Sequence, residues 1–211
     1  MRFEPVIIGH GIEVSDWNPG PVSDYVLWNK NRPTDVCDPS HAWKLAQRGI
    51  KVKSTFGPNG KIIPNLDIIG QLPFDKMKTY IEQAELYLAT APETFGIGTL
   101  EAMICGVPVL GYDWCGTQDL VTHKETGWLV QPGDIDGLVE GAAWLRQNRD
   151  RIGSNAREFA RGYDWAAIIE RYYKLYVMAS QPEPVGVSII ITNYNYSGWI
   201  RDAIQSCLWQ Q

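Results

Sequence analysis

The stretch Pro92–Gly111 reads PETFGIGTLEAMICGVPVLG, and the reading of the whole chain turns on it. Leu86 to Ala89, just before it, form a short apolar strand. A polar turn with two glycines, Gly96 and Gly98, then runs into a short helix carrying Glu101. Gly106 and Pro108 turn the chain again into the apolar run Val107 to Leu110. A strand, turn, helix and strand in this order present helix N-terminal amides beside two carboxylates, Glu93 and Glu101. That combination suits a ligand with both phosphates and sugar hydroxyls.

Outward from this unit, the same alternation continues in both directions. Upstream, Tyr25-Val26-Leu27-Trp28 is a compact apolar strand that breaks into Asn29-Lys30-Asn31-Arg32-Pro33, a polar loop with two cations. The carboxyl edge of such strands is where ligands bind in open α/β sheets, so Lys30 and Arg32 are candidate phosphate partners. Ser40 to Arg48 fits one helical face and is closed by Gly49. Ile50 to Thr55 and Leu66 to Ile69 read as strands, and Phe74 to Glu85 as a helix behind Pro73. Downstream come a loop at Tyr112 to Thr117, a helical piece at Gln118 to Thr122 and a strand around Thr126 to Val130. Asp134 then caps a helix running through Arg146, and two further helices cover Arg149–Arg161 and Trp165–Ala179. The expected fold class is therefore α/β, a Rossmann-like parallel sheet with helices on both faces.

At 211 residues the chain is long enough for one packed domain, or for one domain and a piece of another. Residues 1–21 read as an inter-domain strand, Val6 to Ile8, and a linker, and residues 22–180 as the sheet domain. Residues 181–186, with two prolines, read as a second linker, and residues 187–211 as the opening strand and helix of a further domain. A net charge of -5 argues against a nucleic-acid binder, which needs a basic footprint. No apolar run approaches the ~20 residues of a membrane span, and the start MRFEPVIIGHG has no signal-peptide core. Four scattered cysteines (Cys37, Cys105, Cys115, Cys207) and three scattered histidines suggest a reduced compartment and no metal site. The expected location is cytoplasmic.

Glu93-Thr94-Phe95-Gly96, then Glu101-Ala102-Met103, then Gly106-Val107-Pro108-Val109, resembles the Glu-x7-Glu motif of glycosyltransferase family 4. These are retaining enzymes of the GT-B fold, in which two Rossmann-like domains face each other across a cleft. The resemblance extends through Gly116, Thr126 to Val130, Pro132-Gly133-Asp134 and Asp164-Trp165, and so covers roughly residues 22 to 180, the C-terminal half of such enzymes. It implies a nucleotide-sugar donor (UDP-, GDP- or ADP-sugar) and an acceptor-binding domain upstream of Met1, so that this chain alone would have little activity. It assigns Glu93 to the donor sugar and its developing charge as the catalytic carboxylate, and Glu101 to the ribose diol. Phe95, Gly96, Ile97 and Gly98 would contribute backbone, and Thr99 a hydroxyl. Lys30 and Arg32 stand where the family keeps its diphosphate-binding basic pair, and Arg32 is favoured for bidentate contact. No metal and no other cofactor are expected.

The tail, Val187 to Asn195 followed by Ile204-Gln205-Ser206-Cys207, resembles the start of a family 2 glycosyltransferase of the GT-A fold. Two other readings stand beside the transferase: a sugar-nucleotide epimerase or phosphorylase, which shares the GT-B architecture although the Glu-Ala-Met-x-x-Gly-x-Pro spacing favours the transferase, and a non-catalytic nucleotide-binding module.

Overall fold

In a computed structural model, which describes residues 6–33 and 35–179, every strand of the sheet runs parallel. The first three are β1 (Val26–Trp28), β2 (Val52–Ser54) and β3 (Leu66–Ile68), with helix α1 (Ser40–Gln47) between β1 and β2. Helix α2 (Phe74–Gln83) leads to β4 (Leu86–Ala89), α3 (Ile97–Ile104) and β5 (Val109–Tyr112). The short helix α4 (Cys115–Leu120) precedes β6 (Gly127–Val130). Helices α5 (Ile135–Gln147), α6 (Arg149–Arg161) and α7 (Trp165–Ala179) follow. Among the described residues the sheet has six strands in the order β3-β2-β1-β4-β5-β6.

The strands are apolar without alternation because both faces are covered. On one face Leu27, Tyr87, Ala89 and Val109 pack against Ile81 of α2, Leu100 and Met103 of α3 and Ala156 and Ala160 of α6. On the other, Val26, Trp28, Leu88, Leu110 and Tyr112 pack against Ala42 and Leu45 of α1 and Leu138, Ala142 and Leu145 of α5. The expected Rossmann-like class is the observed one.

Several local expectations hold. Asp134 caps α5, its carboxylate accepting from the Gly137 amide at 2.8 Å. Gly49 ends α1 in the left-handed region (φ +86°), where a side chain is disfavoured.

Others are corrected. Residues 6–8 are not in a strand; Val6 and Ile7 are exposed, and Ile12 forms a bridge with Asp164. Ile12 and Trp17 are both buried in the core, so this part of the segment packs on the sheet domain. Ala84 is extended rather than helical. Gly98 lies inside α3 and not in the turn before it, and Gly116 lies inside α4 and not in a loop. The first compact unit of the chain ends at Ile169, within α7. The linker at 181–186 and the expected family 2 segment at 187–211 lie outside the described residues.

Candidate functional site

The strand order reverses direction between β1 and β4. Connections from these neighbours leave toward opposite sides, and the crevice at their carboxyl ends is where an open α/β sheet binds ligands. A cleft of about 350 Å³ lies there, and Lys30, Tyr87, Glu93, Ile97, Gly98 and Glu101 are among its lining residues.

Lys30 enters it from the end of β1. Its backbone is held by Thr55 at the end of β2, whose hydroxyl accepts from the Lys30 amide (3.0 Å) and donates to the Lys30 carbonyl (2.9 Å). The side chain is only 5% exposed, and its ammonium lies 3.2 Å from the Glu93 carboxylate. A third contact, of 3.4 Å, reaches the Tyr87 hydroxyl. Burial alone would lower the pKa of this ammonium, but Tyr87 and Glu93 outweigh it and hold the group above its ordinary value. Lys30 is therefore a fixed positive charge on the floor of the cleft.

Glu93 follows the end of β4 after a turn in which its amide donates to the Ala91 carbonyl at 2.9 Å. Its own carbonyl accepts from the Gly116 amide at 2.8 Å, which ties the motif to α4. A Cβ on Gly116 would sit 2.5 Å from the Phe95 carbonyl oxygen, so α4 can approach this closely only with glycine there. Gly96, at φ +98°, sets the entry into α3, and its carbonyl accepts from the Thr99 and Leu100 amides. Ile97 and Gly98 are the first helical residues, whose amides have no acceptor within the helix. Both line the cleft, so the positive end of α3 faces it.

Glu101 lies one turn further along α3. Burial pushes its carboxyl pKa up to about 7; Lys30 opposes that shift and Glu93 adds to it. It therefore exchanges a proton near neutrality, and as a carboxylate it can accept two hydrogen bonds from a diol.

Of the residues expected from sequence, Lys30, Glu93, Ile97, Gly98 and Glu101 are brought together around the cleft. Arg32, Phe95, Gly96 and Thr99 are not among its lining residues. Arg32 is exposed on the loop after β1, whereas Lys30 lines the cleft. The Phe95 ring turns away to Tyr163 (centroids 5.8 Å apart) and His10 (6.3 Å). Thr99 is buried, with its hydroxyl against the Cβ position of Gly96. Asn29, Thr55 and Tyr87 were missed: the first has a buried side-chain oxygen without a hydrogen-bond partner, and the other two hold Lys30. A single polar group in the apolar strand Leu86-Tyr87-Leu88-Ala89 was the only available signal for Tyr87. The three histidines lie apart, His10 against Trp165, His41 against Tyr112 and His123 against Trp128.

Residues 59–159, slightly under half of the chain, match the family model described as glycosyl transferases group 1. The matched segment contains Glu93 and Glu101 and ends before the tail. N-acetyl-alpha-D-glucosaminyl L-malate synthase of Bacillus anthracis is 31% identical over an alignment of 106 residues that covers 46% of this chain and 28% of that protein. Among solved structures, HepE of Anabaena in complex with UDP superposes with a TM-score of 0.66 at 19% identity, over 81% of this chain and 57% of HepE. The C-terminal domain of LpcC, a glycosyl transferase group 1 family protein of Francisella tularensis, is covered over 100% of its length and 74% of this chain, with a TM-score of 0.62 at 14% identity. The chain spans about a third or less of the length of the first curated relatives it matches. By sequence, residues 59–159 are similar to the glycosyl transferases group 1, and the sheet that holds them has the fold seen in HepE and in the LpcC domain.

Proposed function

We propose that the sheet domain is the donor-binding domain of a retaining glycosyltransferase, one that transfers a sugar from a nucleotide sugar to an acceptor held by a partner domain. The observation that carries this reading is the convergence, at the β1/β4 switch point, of a buried cation, a helix N-terminus and two carboxylates. The diphosphate lies against Lys30 and the amides of Ile97 and Gly98, and Glu101 accepts from the ribose hydroxyls. Glu93 faces the transferred sugar. As the bond from the anomeric carbon to the diphosphate breaks, the electron pair leaves with the phosphate oxygen; the acceptor hydroxyl oxygen bonds to the anomeric carbon from the same face, and its proton passes to that phosphate oxygen. Lys30 stabilises that negative charge, and Glu93 stabilises the positive charge left on the sugar. In this reading the reaction needs no metal.

The ion pair between Lys30 and Glu93 belongs to the same scheme. An arriving diphosphate competes with Glu93 for the ammonium, which frees the carboxylate to turn toward the sugar. UDP in complex with HepE favours testing a uridine nucleotide first, with GDP and ADP beside it. We place the protein in the cytoplasm, in polysaccharide synthesis.

Calorimetric titration of the chain with UDP, GDP and ADP tests the assignment. One of the three should bind saturably. Lys30→Ala should weaken it about tenfold or more, the loss expected for a buried charged contact. Arg32→Ala should change the affinity less than about twofold, as for a solvated charge. No saturable binding of any of the three at millimolar concentration would overturn the proposal.

A further inference from the structure

We propose that Tyr87 is a positioning residue of this cleft: its hydroxyl holds the Lys30 ammonium beside the first turn of α3, and residue 98 is glycine to admit that hydroxyl. The inference rests on reading the cleft as a diphosphate site.

Tyr87 stands in the middle of β4 and is fully buried, yet it lines the cleft. Its hydroxyl is 3.4 Å from the Lys30 ammonium, which also lies 5.7 Å from the ring centroid. A Cβ on Gly98 would be 2.5 Å from the Tyr87 hydroxyl oxygen but 3.4 Å from the ring carbon that bears it, an ordinary contact. The hydroxyl alone therefore excludes a side chain at position 98. Of the two groups that meet the Lys30 ammonium in the cleft, Glu93 carries the same sign of charge as a phosphate and is displaced when one arrives. Tyr87 is different, because burial pushes its pKa up to about 12 and keeps it neutral. It can keep its contact with Lys30 while the remaining ammonium protons turn to the ligand. Lys30 thus keeps its place through the exchange of one anion for another.

The test uses the full chain, whichever of UDP, GDP and ADP the wild type binds, and the matching nucleoside without phosphates. Tyr87→Phe should weaken the diphosphate about three- to tenfold, the range for a single hydrogen bond of ordinary strength, because at 3.4 Å this one is long. Nucleoside affinity should be unchanged, which a purely structural defect would not allow. Gly98→Ala should lower the melting temperature in the wild-type background and be tolerated in Tyr87→Phe. Equal losses for nucleotide and nucleoside, or no loss, would overturn the positioning role. A Gly98→Ala variant equally destabilised in both backgrounds would overturn the steric part. If the wild type binds no nucleotide at all, the functional reading itself fails, and the role of Tyr87 with it.

Discussion

Glu101 carries two demands that pull in opposite directions. In the proposed role as a ligand to a ribose diol it acts as a carboxylate, yet burial pushes its pKa up to about 7 against 4.5 for a free side chain. Binding to the ionised form alone loses about tenfold between pH 8 and pH 6 for a group titrating at about 7. Nucleotide affinity should fall by that factor over this range. Glu101→Gln should flatten the profile, which separates the protein's titration from that of the ligand's phosphates. Stability has the opposite sign. A carboxyl whose folded pKa is raised contributes stability below pH 4.5 that is lost as pH rises through 7, here on the order of 3 kcal/mol. Glu101→Gln should therefore stabilise the domain at pH 8 in urea unfolding while weakening its ligand. A lower midpoint for the variant at pH 8 would contradict the burial argument. Glu93 and Glu101 were legible in the sequence because their spacing and the glycines between them are local. The sequence favours Arg32 over Lys30 by side-chain type, whereas Thr55, Tyr87 and Glu93, distant along the chain, surround only Lys30.

At the scale of elements, the site depends on how α3 is held from behind. Helix α6 packs on it so closely that a Cβ on Gly153 would lie 2.3 Å from the Gly106 carbonyl oxygen in the turn after α3. Alanine is the better helix former by about 1 kcal/mol, so propensity alone would favour Gly153→Ala. The contact is to backbone, which cannot swing aside, and overpacking of this kind costs about 1–3 kcal/mol. The net expectation is a loss of stability, read as a lower urea midpoint with an unchanged slope. A midpoint at or above that of the wild type would show that α6 shifts freely. Elements set by their own residues were readable: Asp134 as a cap, Gly49 as a stop, and α6 and α7 to their end residues. Elements set by a neighbour were not. Val6 to Ile8 are β-branched like a strand but lie in none, whereas Ile12 forms a bridge with Asp164. Gly98 and Gly116 looked like turn residues, yet each is a glycine because another part of the chain, the Tyr87 hydroxyl or the Phe95 carbonyl, occupies the place of its Cβ.

At the scale of the whole domain, the cleft is built from the carboxyl ends of β1, β2 and β4 and the start of α3, and those elements also form the centre of both hydrophobic layers. A ligand bound there touches the last parts of the fold to open, so it should stabilise the domain globally rather than a loop alone. Nucleotide at ten times its Kd adds about 1.4 kcal/mol, which for a domain of this size raises the melting temperature by roughly 3–5 °C. Lys30→Met should lose most of this shift at the same concentration. The variant should not itself melt much lower than the wild type, because methionine fills the apolar part of the lysine side chain and frees Glu93, about a third exposed, to solvent. A nucleotide that raises the melting temperature of wild type and Lys30→Met alike would be binding elsewhere on the molecule. A shift lost in Lys30→Met and kept in Arg32→Ala would locate the anion at the β1/β4 switch point, the position from which the Glu93 and Glu101 roles are argued.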